Sequence, residues 1–429
     1  MNKTNTNLIY AKLPKVSGYD LLVFLIWPFA LLIHRLKDIK DPKSKTVFWL
    51  FCVYFGFAFI IQEDVEGAAD SARYASNLKI MNEEGNSLEY ISDRIYNIES
   101  ADLKLDFYET IITWLVSLFT SNAQILFTVF SAVFGFFYVQ NLWIIFSKLK
   151  KTKGLFIGVL ILYLILILPI WQVNGVRMWT AAHIYIYGIL LFHLSNKKKS
   201  GYFWILASFL VHFSFIFPAI IFIISRFIRL KINILIILYL VAFILDNVDL
   251  DFIKNISSYL PNILGLKVEE YASEGYNDAF NKRLDEKSLI FQINKFITSF
   301  FIFLWVLLLY AKRKSIKIDL GRDFYNFFKF ILLFGVFAQF ASLIPSGGRF
   351  LTIFHFMIYG ILLIVVSNYI LKTNKIIFNI FVPFLMYLIL FKIRIGSEFF
   401  GMFLFFGNPI TSFIVEDEVN LITLIRKAF

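Results

Sequence analysis

The chain carries one arginine pattern twice. Residues 175–191 read GVRMWTAAHIYIYGILL and residues 347–363 read GGRFLTIFHFMIYGILL, identical at ten of seventeen positions without a gap. Matches of Ile, Leu and Tyr arise easily in this composition; matches of Arg, Thr, His and two Gly do not. At 100° per residue, Arg177, Thr180, His183, Tyr187 and Gly188 fall within about 140° of one another. Arg349, Thr352, His355, Tyr359 and Gly360 repeat that stripe. Each arginine follows a glycine-containing turn and opens an apolar helix. The dipole at that end is already positive, so a lone arginine there is misplaced. It becomes favourable when an anion shares the site, held by the guanidinium and the free backbone N–H groups together. Two such sites point to two phosphate-bearing ligands. A single arginine would equally be read as snorkelling to the headgroups, and the histidines as satisfied core groups.

The elements that must position these groups are membrane helices. The chain has 429 residues, 59% hydrophobic and 17% charged, which excludes both a soluble globular protein and a disordered one. Apolar segments run over about 19–35, 46–61, 107–120, 124–147, 154–173, 178–194, 201–225, 231–246, 289–310, 324–345, 351–371 and 376–393. A further stretch, 399–415, is broken by Gly401, Gly407 and Pro409. The expected fold is all-α and polytopic, with about 11–13 hydrophobic helices, an internal duplication and a single transmembrane domain over 1–429.

The net charge of +12 is a topology signal rather than a mark of nucleic-acid binding. Residues 62–109 hold twelve acidic side chains against four basic, and residues 246–287 hold nine against five. The basic excess sits in short runs such as Lys148–Lys153, Lys197–Lys199 and Lys312–Arg322. Short basic loops belong on the cytoplasmic side, so the loops 62–106 and 246–288 are expected outside, and both arginines with them. Counting crossings between basic loops then requires a re-entrant or interfacial segment in each half. The candidates are 107–120, which is short for a span, and 201–225, which carries His212 and Pro218. The alternative is that one basic loop lies outside.

Cys52 stands alone, so no intramolecular disulfide is possible, and no cleavable signal peptide follows the first apolar run. There is no HExxH, CxxC or GxxxxGK[ST], hence no expected metal, cofactor or ATP-driven transport.

The paired Arg-x10-Gly spacing, Arg177 to Gly188 and Arg349 to Gly360, resembles that of Wzy-type polysaccharide polymerases. Asp70-Ser-Ala-Arg73-Tyr74, Tyr108-Glu109, Gly-Val-Arg177 and His212-Phe-Ser214 are similar to the EpsG-like branch of that group. The resemblance implies a GT-C-like glycosyltransferase in the bacterial cytoplasmic (inner) membrane. It would join undecaprenyl-diphosphate-linked oligosaccharide repeat units at the outer face, as in O-antigen or exopolysaccharide assembly, without nucleotide sugar. Membrane lipids, a chain-length regulator and a flippase are the implied partners. Such transfer needs cations on the departing diphosphate and a base at the acceptor hydroxyl. Arg177 and Arg349 are the first choices for the diphosphate, with Arg73, Tyr74, Asn174, His183, His355 and Arg394 as further substrate contacts. Asp70 leads the candidates for the base, ahead of Glu63 and His212. Solvated carboxylates, a core histidine and a snorkelling Arg394 are the bland alternatives. A lipid-linked oligosaccharide flippase, an O-antigen ligase and a membrane acyltransferase remain alternative functions.

Overall fold

The computed structural model describes residues 13–61, 70–83, 107–228, 230–245, 289–344, 346–368, 378–414 and 419–428. Among them the only strand-like feature is an isolated bridge between Phe59 and Phe400, so the protein is an all-α, polytopic membrane protein. Five helical stretches are long and apolar enough to cross a membrane: Ala123–Phe146, Leu155–Leu194, Leu289–Ala311, Arg322–Ala341 and Arg349–Asn368. The chain divides into two compact units.

The first unit comprises residues 1–154, 168–215 and 389–429. It opens with α1 (Gly18–Ile26) and α2 (Pro28–Leu36) where one span over 19–35 was expected. Pro28 has no N–H to continue α1 and keeps Trp27 out of helical geometry, so a new helix starts there. Next come α3 (Pro42–Phe57), α4 (Asp70–Glu83), α5 (Phe107–Ser117) and α6 (Ala123–Phe146). After α7 (Leu155–Ile167), which belongs to the second unit, a 3₁₀ turn (Ile170–Gly175) leads into α8 (Val176–Leu194) and then α9 (Lys198–Val211).

α8 is the core of this unit: every residue from Met178 to His193 is buried. It packs on α6 and, most extensively, on α9. The α8–α9 crossing is close because both sides lack a side chain. A Cβ on Gly188 would lie 2.8 Å from the Gly201 carbonyl oxygen, and one on Gly201 would lie 2.9 Å from that of Gly188.

The second unit comprises residues 155–167 and 216–388. It contains α7, α10 (Ile216–Phe227), α11 (Ile232–Ile244), α12 (Leu289–Ala311), α13 (Arg313–Asp319), α14 (Arg322–Ala341) and α15 (Arg349–Asn368). α15, the second copy of the repeat, is its core and packs on α7, α14 and α12. Tyr359 meets Tyr163 of α7 edge to face at 4.8 Å. The last helices are α16 (Val382–Gly396), which runs across the unit boundary, α17 (Phe403–Phe406), α18 (Pro409–Ile414) and α19 (Leu421–Ala428).

The segment 201–225 is discontinuous, as its sequence implied. α9 stops at Val211, His212 is extended at φ −150°, and a 3₁₀ turn (Phe213–Phe215) then leads into α10 at Ile216. Pro218 falls in the first turn of α10, where its missing N–H is not needed. The segment 107–120 supplies the 11-residue helix α5.

Candidate functional site

In the first unit, α4 and α5 lie against each other beside the start of α8. The buried face of α4 is Ser71, Tyr74, Leu78 and Met81, one helical stripe. α5 faces it with Glu109, Thr110, Thr113, Val116 and Ser117, so this contact between helices is largely polar.

Arg177 is the second residue of α8. The helix is capped by Gly175 with no side-chain hydrogen bond, which leaves its first N–H groups without a side-chain cap. The Arg177 Nε donates to the Tyr74 hydroxyl at 3.3 Å, and its guanidinium carbon stands 6.0 Å from the Tyr74 ring centroid. Arg73 approaches the same ring at 5.5 Å. Tyr74 is only 1% exposed, and burial pushes its phenol up to about 12, so it stays neutral at physiological pH. It can therefore accept from Arg177 and still hold a proton to donate. Arg177, Asp70 and Glu109 all act electrostatically on that hydroxyl.

Asp70 opens α4 and pairs with Arg73 at 2.6 Å, with side chains 35% and 51% exposed. A Cβ on Gly175 would lie 3.8 Å from Asp70 Oδ2 and 3.2 Å from Trp179 Cδ1. A carboxylate beside the start of α8 complements the helix dipole there. A side chain at this position would have to push the Trp179 ring aside by a few tenths of an ångström.

Two buried polar atoms of this cluster lack a hydrogen-bond partner among the described residues, Ser71 Oγ and Asn174 Oδ1, while the buried Tyr108 and Thr180 hydroxyls interact with each other. Buried polar atoms are seldom left so, and the two mark this contact as unusually polar.

Below the cluster lies an aromatic floor. Phe130 meets the rings of Tyr74 and Tyr108, each at 6.0 Å, and Phe127 at 5.9 Å. Phe127 stacks on Phe59 at 4.5 Å, which stacks on Phe399 at 5.9 Å. A Cβ on Gly396 would lie 2.7 Å from the Trp171 ring, so the end of α16 is pressed onto the 3₁₀ turn. Arg394 and Glu398 flank that contact in the chain.

The chain matches the EpsG family over residues 47–406, most of its length. It belongs to the EpsG family. That family is associated with polysaccharide-polymerase-like membrane proteins, in line with the resemblance in the arginine, aspartate and tyrosine motifs. No curated protein and no solved structure matches this EpsG-family chain.

The structure of this EpsG-family protein thus brings Asp70, Arg73, Tyr74 and Arg177 into one cluster, with Asn174 in the 3₁₀ turn before Arg177 and Arg394 on α16 two residues before the Gly396–Trp171 contact. Arg349 and His355 lie on α15 in the other unit, Arg349 exposed as the first residue of its helix. His183 is fully buried: its carbonyl accepts from Asn141 Nδ2 at 2.9 Å and its ring meets Phe134 at 4.6 Å. It joins α8 to α6 rather than facing the cluster. His212 ends α9, with its ring against Phe213 and Phe215. Gly188, the glycine of the first Arg-x10-Gly pair, serves the α8–α9 crossing. Glu63 and the loop 246–288 lie outside the described residues, and of the loop 62–106 only Asp70–Glu83 is described.

Glu109, part of the Tyr108-Glu109 motif but given no role at the site from sequence, is buried beside this cluster. It falls in the first turn of an otherwise apolar helix, and an acid in that setting is the signal that could have found it.

Proposed function

We propose that this protein is a polysaccharide polymerase. It transfers a growing glycan from a polyprenyl diphosphate to the next lipid-linked repeat unit, at the outer face of the bacterial cytoplasmic membrane. The observation that carries this function is Arg177: a guanidinium at the uncapped start of a buried helix, steadied by a neutral tyrosine, in a chain of the EpsG family. Such a site suits a diphosphate, which gains charge as the glycosyl bond breaks. Arg73 and Arg394 add charge around the departing group. Asp70, whose carboxylate is engaged by Arg73, orients that arginine. Arg349 opens the repeated helix in the second unit and is assigned a diphosphate of its own, that of the second lipid-linked substrate. The acidic loops 62–106 and 246–288 lie outside, which puts the start of α8 at the outer leaflet.

The test is the glycan profile of a deletion strain carrying variants. Loss of polymerisation leaves single repeat units on their final acceptor, and Arg177→Ala or Arg349→Ala should reproduce that profile with the protein still inserted. Loss of all transfer would favour a ligase, and intermediates held on the cytoplasmic leaflet would favour a flippase. Normal long chains from both variants would refute the paired-diphosphate assignment.

A further inference from the structure

Glu109 has no role in the account above, yet it is a charged side chain buried in the unit without a cation beside it among the described residues. It is 5% exposed, and no Lys, Arg or His nitrogen lies within 4.0 Å of it among the described residues. Its Oε1 has two polar neighbours, Asn77 Nδ2 and Thr113 Oγ1, both at 3.5 Å and so at the limit of hydrogen bonding. A buried carboxylate without a cation or short hydrogen bonds is destabilising, and sites that keep one do so for chemistry more often than for stability.

Its surroundings fit a reacting group. It sits in the first turn of α5, where the dipole favours an anion. Tyr74, which takes the Arg177 hydrogen bond, feels its charge. Its sequence neighbour Tyr108 interacts through its hydroxyl with Thr180, which lies one turn beyond Arg177. Oriented polar atoms of this kind are what a sugar bearing several hydroxyls would satisfy.

We infer that Glu109 is the general base of the transfer, accepting the proton of the acceptor sugar's hydroxyl at the polar contact of α4, α5 and the start of α8. This inference rests on the polymerase function and adds the catalytic residue that function lacks. As the acceptor O–H bond breaks, its proton passes to a Glu109 oxygen. The hydroxyl oxygen forms the new bond to the donor's anomeric carbon. The bond from that carbon to the phosphate oxygen breaks, and its electron pair leaves on the polyprenyl diphosphate at Arg177. Glu109 then returns the proton to solvent or to the departing diphosphate.

The experiment uses the full chain in liposomes with a polyprenyl-diphosphate-linked repeat unit as substrate, scoring chain extension by mass. Glu109→Gln should lower kcat by about 10²–10⁴-fold, the range of general base catalysis, with KM little changed. Glu109→Asp should retain part of the rate. Added formate should raise the rate of Glu109→Ala, which a purely structural carboxylate would not allow. A Glu109→Gln rate equal to wild type, formate without effect on Glu109→Ala, or a larger loss in Asp70→Asn than in Glu109→Gln would each overturn the assignment. In all three the polymerase function survives, because the wild type still extends chains. A wild type that fails to extend intact substrate overturns that function, and the base with it.

Discussion

Tyr74→Phe isolates the contact that steadies Arg177. The ring stays, so its 6.0 Å contact with Phe130 and both arginine contacts with its face are retained. Only the hydroxyl is lost, and with it the 3.3 Å hydrogen bond from Arg177 Nε. A hydrogen bond to a charged group contributes about 1.5–3 kcal/mol, and one longer than the usual ~2.9–3.0 Å belongs at the low end. About 1.4 kcal/mol corresponds to tenfold, so kcat/KM should fall roughly tenfold while thermal stability in detergent changes little. The assay is chain extension in liposomes by wild type, Tyr74→Phe, Arg177→Lys and the double variant. Lysine has no Nε at the guanidinium position, so once Arg177 is replaced the tyrosine hydroxyl has less to hold. The double variant should therefore be better than the product of the single losses by roughly five- to tenfold. Additive losses, within about 0.5 kcal/mol, would show that the hydroxyl does not act through Arg177 and refute the reasoning.

Asp70→Asn should cost no more than about fivefold in rate, because an ion pair as exposed as Asp70–Arg73 is worth about 1 kcal/mol or less. Gly188→Ala places a Cβ within 2.8 Å of backbone atoms in α9, so it should destabilise the folded protein by about 1–3 kcal/mol, read as early melting in detergent, while Arg177 stays in place. The native thiol of Cys52 is fully buried, so the wild-type protein should not react with a membrane-impermeant maleimide. On that background, cysteines introduced into residues 62–106 should label in intact cells, and one replacing Lys198 should label only after lysis. The opposite pattern would invert the topology.

Much of this arrangement was legible in the residues. A glycine turn followed by an arginine and an apolar helix has one sensible geometry, and both α8 and α15 adopt it. The break at His212 was visible as polar residues within an apolar run. The division at Pro28 was also written in the chain, but a window of hydrophobicity averages across it. Long-range packing was not legible. Periodicity places His183 and Gly188 on one face of α8 but does not say which helix covers that face. The covering helices are α6 and α9, so His183 binds Asn141 and Gly188 lets α9 approach. Tyr108-Glu109 was legible as a motif but the burial of Glu109 was not, for the same reason: it follows from α4 packing across α5, a contact between segments joined by a long acidic stretch.

The most direct measurement is mass analysis of the products when purified protein in liposomes is given a single polyprenyl-diphosphate-linked repeat unit. The account predicts glycans that lengthen by whole repeat units, with release of polyprenyl diphosphate, and no lengthening with Arg177→Ala. Intact single units after prolonged incubation with folded wild-type protein would contradict it.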